Sequence, residues 1–421
     1  MDKFIIEGGY QLKGTIQASG AKNSSLALIP ATLLNNGVNI IKNTPELNDV
    51  FTMIKLMKSL GSDINFSNNQ LTINNSNINN YTAPYELVKK MRASVYVLGP
   101  LLAKYGYAKV SLPGGCAWGP RPINLHLEAM KKLGAEIELD EGYIIAKANK
   151  LLGARINFDI SSVGATGNAL MAAVLAKGTT IISNAAREPE ITQLADYLNL
   201  MGAKISGIGT STLTIEGVDE LKAADITTIP DRIEIGTFLV AAAITGGEIT
   251  IQNIIPEHIL AISSKLEDAG CVIKYDKDSI YLDAKNISLN AIDAITQPYP
   301  GFPTDMQAQW IALMSVANGT SEVTDTIYLD RFNHVPELLR LGCNIEVKEN
   351  TAIVHGPAKL KGAKVMSTDL RASASLVLAG LAAKGKTEVL RIYHLDRGYE
   401  KFEIKLQSIG ANIERISTDE F

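Results

Sequence analysis

A pattern of the form apolar–Gly–small–x–Ile, repeated six times, narrows what this chain can fold into more than any other feature. It reads Leu60-Gly61-Ser62-Asp63-Ile64, Leu133-Gly134-Ala135-Glu136-Ile137 and Met201-Gly202-Ala203-Lys204-Ile205 in the first half. In the second half it returns as Ala269-Gly270-Cys271-Val272-Ile273, Leu341-Gly342-Cys343-Asn344-Ile345 and Ile409-Gly410-Ala411-Asn412-Ile413. The glycines are 73, 68, 68, 72 and 68 residues apart, so one supersecondary unit is used six times.

Each copy closes an amphipathic helix and opens a strand. Val50, Met53, Ile54, Met57 and Leu60 share one helical face. The glycine suits the left-handed residue that ends a helix. Ahead of each copy lies a second helix, apolar almost all round, over 27–34, 95–103, 168–176, 237–244, 309–317 and 372–383. A helix without a polar face is a buried helix. Each is followed by a glycine (Gly37, Gly106, Gly178, Gly246, Gly319, Gly385) and then a strand, such as 179–182 or 248–251. The expected fold is α/β, with six βαβαββ-type repeats in two domains of three, each burying its three apolar helices. The expected domains are 22–229, and 1–21 with 230–421. Pro230 marks the crossover, and strand 3–6 completes the second domain.

The 421 residues carry 40 Lys and Arg against 44 Asp and Glu, a net charge of -4 that gives no general pull toward nucleic acid or an anionic membrane. Runs 238–244 and 376–383 are too short to cross a bilayer, and the first residues lack the stretches of a secretory signal. The three cysteines form no Cys-x-x-Cys pair, and His126, His258, His334, His355 and His394 lack ligand spacing. These features point to a reduced cytoplasm, with no disulfide framework and no metal. No Walker loop or Gly-x-Gly-x-x-Gly turn is present.

The unusual residues gather at the starts of the buried helices: Lys22, Arg92, Arg232 and Arg371, with Ser19, Ser162, Asp231, Asp305 and Asp369 nearby. Helix N-termini favour anions, so these ends would line a cationic cleft if the two domains face each other. Ser and Asp there are also ordinary caps. A Lys or Arg is harder to explain in that way, because it opposes the helix dipole. The segment 113–122 holds three prolines and three glycines around Cys116, a composition suited to a lid. Cys271 and Cys343 occupy the small-residue slot of the repeat and read as packing. Cys116 has no such slot; beside Arg121 it is a candidate acid or nucleophile, or an idle exposed thiol. Arg331 and Arg397 follow aspartates in related turns, which read equally as local ion pairs or as ligand contacts.

These residues together resemble the UDP-N-acetylglucosamine 1-carboxyvinyltransferase family over nearly the whole chain. The resemblance rests on Ser19-Gly20-Ala21-Lys22-Asn23, Pro113-Gly114-Gly115-Cys116 and Phe302-Pro303-Thr304-Asp305-Met306-Gln307-Ala308-Gln309. Thr368-Asp369-Leu370-Arg371-Ala372-Ser373-Ala374 and Tyr393-His394-Leu395-Asp396-Arg397-Gly398-Tyr399-Glu400 extend it. It implies a two-domain inside-out α/β barrel with threefold pseudosymmetry and an active site in the interdomain cleft. It also implies transfer of the enolpyruvyl group of phosphoenolpyruvate to the 3-hydroxyl of UDP-N-acetylglucosamine. Phosphate is released, without metal or organic cofactor. This is the first committed step of peptidoglycan precursor synthesis, serving cell wall, shape and division, and the target of fosfomycin.

By that resemblance Lys22, Arg121 and Arg397 hold the phosphate of phosphoenolpyruvate, Arg331 and Arg371 its carboxylate, and Asn23 orients the reacting groups. Cys116 is the acid that protonates C3 or the group that adds covalently; Asp305 takes the sugar hydroxyl proton, with Asp369 a competitor for part of that work. Nucleotide-sugar contacts fall on Asn23, Arg92, Arg121, Pro122, Ile123, Asn124, Leu125, Ser162, Val163, Gly164, Asp305 and Ile327. Asn124 stands where the family commonly has Asp, Trp118 replaces a smaller aliphatic, and Ile160 replaces a Lys found in some members. Transfer to shikimate 3-phosphate uses the same fold and donor but needs no cysteine lid. A UDP-sugar-binding protein without activity would need neither acid nor base. RNA-end processing on a related repeat fold would call for a more basic face and a catalytic histidine.

Overall fold

The computed structural model describes residues 2–112 and 123–418. The chain divides into two compact units, Gly20–Ile229 and Met1–Ser19 with Pro230–Phe421, each with its own apolar core.

The repeated glycine has one job in all six copies. Gly61, Gly134, Gly202, Gly270, Gly342 and Gly410 have φ between 92° and 111°, a conformation in which a side chain would be strained. The next residue's N–H then donates to the carbonyl five positions back, as from Ser62 to Met57 (3.1 Å) and from Cys271 to Leu266 (2.9 Å). That turn folds the following side chain under the helix end, so only a small residue fits. Cys271 and Cys343 are buried in this slot, and burial pushes their thiols up to about 12 and about 11.

Each repeat contributes a four-stranded sheet of one pattern. A short leading strand runs parallel to the strand that follows the buried helix, and a hairpin continues the sheet antiparallel. In the third repeat Arg155–Asn157 leads, Thr179–Ser183 follows the helix, and Thr212–Glu216 pairs with Lys204–Ser206. Parallel neighbours need a crossover, and the buried helix supplies it. Both units close on themselves with strands taken from elsewhere in the chain. Ile226–Thr227 leads the first sheet beside Val38–Lys42. Lys13–Gln17 leads the fourth beside Glu248–Gln252. Asp2–Glu7 lies between Lys386–Leu390 and Asn412–Ser417, antiparallel to both, in the place a hairpin strand holds in the other repeats.

The buried helices start earlier than their apolar windows, at Lys22, Val163, Arg232 and Leu370. In the second and fifth repeats a 3-10 turn comes first, Arg92–Val97 before Leu98–Tyr105 and Thr304–Met306 before Gln307–Met314. Their polar first turns break the apolar run, which is why hydrophobicity alone places the starts too late. The shift sets the charged residues within the first turns. In the unit carrying 230–421, helices Arg232–Ile244, Gln307–Met314 and Leu370–Ala382 pack on one another. Among the described residues no helix is long and apolar enough to cross a membrane.

Candidate active site

A buried array of charge lies where the fifth and sixth buried helices begin. Asp305 sits in the 3-10 turn Thr304–Met306, and its two carboxylate oxygens face two guanidinium groups. Arg331 Nη1 donates to Oδ1 at 2.9 Å, and Arg371 Nη2 donates to Oδ2 at 2.8 Å. The arginine side chains are only 9% and 3% exposed, so these are desolvated pairs rather than surface contacts. Arg331 Nη1 also reaches Thr304 Oγ1 at 2.9 Å, and that hydroxyl donates to Asp325 Oδ2 at 2.7 Å. Burial works against the charge of both arginines. Asp305 opposes it most, joined by Asp369 at Arg331 and by Tyr399 and Asp231 at Arg371, and together they raise both pKa values, so both groups remain cations.

Arg331 therefore reaches back to the start of its own repeat's buried helix, 26 residues away, rather than forming only the local turn contact its Asp-Arg dipeptide suggests. Asp396, the other aspartate of such a turn, gives its oxygens to Arg415 at 2.6 and 3.0 Å. Arg397 ends the turn Ile392–Arg397, half-buried, and its charge helps to lower the pKa of His394, after burial itself. Asp369 caps helix Leu370–Ala382: its Oδ1 accepts from the N–H groups of Arg371 (2.8 Å) and Ala372 (3.2 Å). Asp231 caps Arg232–Ile244 in the same way. Ser19 is not a cap: its hydroxyl contacts Glu400 and Lys405, each at 2.6 Å.

In unit Gly20–Ile229, Lys22 opens helix Lys22–Ala31, which no side chain caps. Its ammonium lies 3.4 Å from the buried Asp49 carboxylate, which offsets part of its conflict with the dipole. Asn23 beside it is exposed. At the third buried helix Ser162 is a genuine cap, accepting from Ala165 N at 3.3 Å. Val163 and Gly164 form its first turn. A Cβ on Gly164 would fall 3.0 Å from Cε1 and Nε2 of His126, so the missing side chain lets that ring lie against the helix start.

His126 is buried, and its Nδ1 meets Asn168 Nδ2 at 2.9 Å. Asn168 Oδ1 accepts from Gly99 N (2.8 Å) and Nδ2 donates to Val95 O (2.9 Å), which sets the amide orientation. Nδ1 must then be the acceptor. Burial, reinforced by Arg92, lowers the His126 pKa to about 3. Ile123 precedes helix Asn124–Lys132, with Asn124 exposed and Leu125 half-buried. Ile327 and Ile160 are exposed.

The structure thus unites Asp305, Arg331 and Arg371 in one unit, and gathers Arg92, Ser162, Val163 and Gly164 near His126 in the other. Cys116, Trp118, Arg121 and Pro122 lie outside the described residues. Among the described residues no group of His, Cys, Asp and Glu could hold a metal ion. Several participants escape the sequence reading. Asp325, Asp49, His126 and Asn168 carry no motif of their own, and Thr304 lies in a quoted motif without a role assigned to it. Thr237 and Gln309 leave a trace, since each is a polar residue in an otherwise apolar helix.

Residues 6–406 match the family model described as EPSP synthase (3-phosphoshikimate 1-carboxyvinyltransferase). The UDP-N-acetylglucosamine 1-carboxyvinyltransferase of Chlorobium luteolum is 58% identical over 424 residues, covering 100% of both chains. That of Chloroherpeton thalassium is 59% identical over 425 residues, covering 100% of this chain and 99% of its own. Among solved structures, the enolpyruvyl transferase NikO from Streptomyces tendae matches with a TM-score of 0.89 at 25% identity, covering 98% of each chain. EPSP synthase from Acinetobacter baumannii matches with a TM-score of 0.75 at 18% identity, over 99% of this chain and 100% of its own, a likeness of fold alone. With six α/β repeats in two units and relatives of this identity along its whole length, the chain belongs to the EPSP synthase family, among the UDP-N-acetylglucosamine 1-carboxyvinyltransferases.

Proposed function

We propose that this protein transfers the enolpyruvyl group of phosphoenolpyruvate to the 3-hydroxyl of UDP-N-acetylglucosamine and releases phosphate, by addition followed by elimination. The observation that carries this reading is the Asp305 carboxylate held at 2.9 and 2.8 Å by two buried guanidinium groups. A base beside cations is what attack of a sugar hydroxyl on an anionic donor requires. Arg331 and Arg371 take the carboxylate of phosphoenolpyruvate. Lys22, Arg121 and Arg397 take its phosphate, and Asn23 orients the reacting groups. As the donor carboxylate draws on the N–H groups that hold Asp305, the aspartate loses its neutralising partners and its proton affinity rises. Donor binding thereby readies the base.

The 3-hydroxyl oxygen then bonds to C2 and its proton passes to Asp305, while C3 receives a proton from Cys116. Cys116 adding covalently to the donor is the alternative course. Loss of a C3 proton and departure of phosphate from C2 yield the enol ether. Asp369 is a poorer candidate for the base, since its Oδ1 is committed to two helix N–H groups. The nucleotide sugar is expected to meet Arg92, residues 121–125, Ser162 to Gly164, Asp305 and Ile327. The same reading places the enzyme in the cytoplasm, at the entry to peptidoglycan precursor synthesis. The test is phosphate release from phosphoenolpyruvate with UDP-N-acetylglucosamine, run beside shikimate 3-phosphate as acceptor. Release with the nucleotide sugar alone is expected. No release, or release only with shikimate 3-phosphate, overturns the proposal.

A further inference from the structure

Beneath the Asp305 carboxylate lies a directed chain of hydrogen bonds that the proposed chemistry does not itself call for. Thr237, Gln309, Arg371 and Tyr399 are each no more than 2% exposed, yet they meet at the centre of three apolar helices. Burying so many polar groups is costly unless each is satisfied.

Counting hydrogens fixes the direction of the chain. The single hydroxyl hydrogen of Thr237 goes to Ile233 O at 2.8 Å. Its contact with Tyr399 Oη at 2.9 Å must therefore be a bond donated by the phenol. One hydrogen of Gln309 Nε2 goes to Asp305 O at 2.9 Å, and the other is shared between Tyr399 Oη at 3.1 Å and Thr237 Oγ1 at 3.2 Å. The opposite amide orientation would set Gln309 Oε1 against the Asp305 carbonyl, so only one rotamer serves. Burial raises the Tyr399 pKa and keeps the phenol protonated, as the chain requires. The tyrosine ring also lies under the Arg371 guanidinium, 5.4 Å from its centroid. Gln309 thus grips the main chain of the base while Tyr399 supports the cation that holds its carboxylate.

We propose that Gln309 and Tyr399, anchored through Thr237, are positioning residues for Asp305 and Arg371, setting the base relative to the donor site without touching substrate. This rests on the reading of Asp305 as the base. A misplacement of about 1 Å at a reacting group costs on the order of 100-fold in rate. The test uses the full chain with Gln309→Met, Tyr399→Phe and Asp305→Asn. Turnover with saturating phosphoenolpyruvate and UDP-N-acetylglucosamine is followed against pH, with thermal melting as the control for folding.

Gln309→Met should lower kcat by roughly 10- to 100-fold and Tyr399→Phe by roughly 3- to 10-fold, with KM for both substrates changed less than about 3-fold. The acid limb of the kcat profile should move in both variants, which a loss of packing alone would not produce. Tyr399→Phe keeps the ring under Arg371, so it carries the test if Gln309→Met does not fold. Wild-type kcat and an unmoved profile in Tyr399→Phe, with Asp305→Asn inactive, would overturn the positioning role and leave the base assignment standing. Full activity of Asp305→Asn would instead remove the base, and the positioning role with it.

Discussion

The clusters around Asp305 and around His126 are built by the same repeat and solve opposite electrostatic problems. Both lie at the starts of buried helices, where unpaired N–H groups and the helix dipole favour negative charge. Around Asp305 full charges meet: one carboxylate bridges two guanidinium groups at 2.8 and 2.9 Å. Around His126 the imidazole stays neutral, held down by burial and by Arg92, and its partner is the uncharged amide of Asn168. The contrast shows that the scaffold supplies place and dipole, while the side chains decide whether a site holds charge in reserve or excludes it. An ion-paired cluster can exchange its internal anion for a substrate anion. A neutral, hydrogen-bonded one offers shape and cannot make that exchange.

The largest expected effect tests the charged side. Asp305→Asn should lower kcat by about 1,000-fold or more, measured as phosphate release, because the base is lost while its shape is kept. Asp305→Ala should also lower stability by about 3 kcal/mol in denaturant melts, since two buried cations lose their shared carboxylate. A variant that keeps its stability would mean that the two arginines are satisfied elsewhere.

Next in size is the contrast among the thiols. Fosfomycin should modify Cys116 and leave Cys271 and Cys343 untouched, with the site read by peptide mapping. Pushed up to about 12 and about 11 by burial, the two repeat-slot thiols should react more than about 100-fold slower than an ordinary thiol in the folded chain. Adduct on either of them would contradict the packing role of that slot.

Acid should expose the neutral side. The His126 pKa falls to about 3 and that of His334 to about 4, both mainly through burial. Both are depressed below an ordinary histidine, so between those values and about 6.5 the unfolded chain binds more protons than the folded one. Stability should therefore rise with pH up to about 6.5. On acidification below that it should fall by on the order of 1 kcal/mol per pH unit for each histidine. His126→Gln should flatten the slope in melting curves taken from pH 7 to pH 5; an unchanged slope would assign the acid sensitivity to other groups.

The smallest effect concerns the cap. Ser162→Ala should cost about 1 kcal/mol in melting experiments, with a modest rise in KM for the nucleotide sugar if the helix start also meets its diphosphate. A rise in KM without loss of stability would separate the binding role from the capping role.

The placement of Lys22, Arg92, Asp305 and Arg371 at the starts of buried helices was legible because they interrupt a strict repeat, and an interruption at a fixed point of a repeated unit marks a position. The partners were not legible. Arg331 and Asp305 are 26 residues apart, and Arg371 and Asp305 66 apart, with no local spacing to join them. His126 was visible only as a histidine without ligand spacing, and its neutral state follows from Asn168, which is 42 residues away. Asp369 drew attention as a possible base, and its capping geometry turns it toward a structural role.

What the sequence by itself determined was the architecture: six glycines at near-constant spacing, each demanding a left-handed turn, and six helices without a polar face. These are local requirements of backbone conformation and solvent exclusion, and each can be read from a few consecutive residues. Only the tertiary structure decided which charges neutralise one another and which polar groups in the apolar helices share hydrogens. Those outcomes depend on distances of about 3 Å between side chains tens of residues apart, and linear order does not encode such distances. It turned a list of candidate arginines into one carboxylate held by two of them, with a glutamine and a tyrosine beneath.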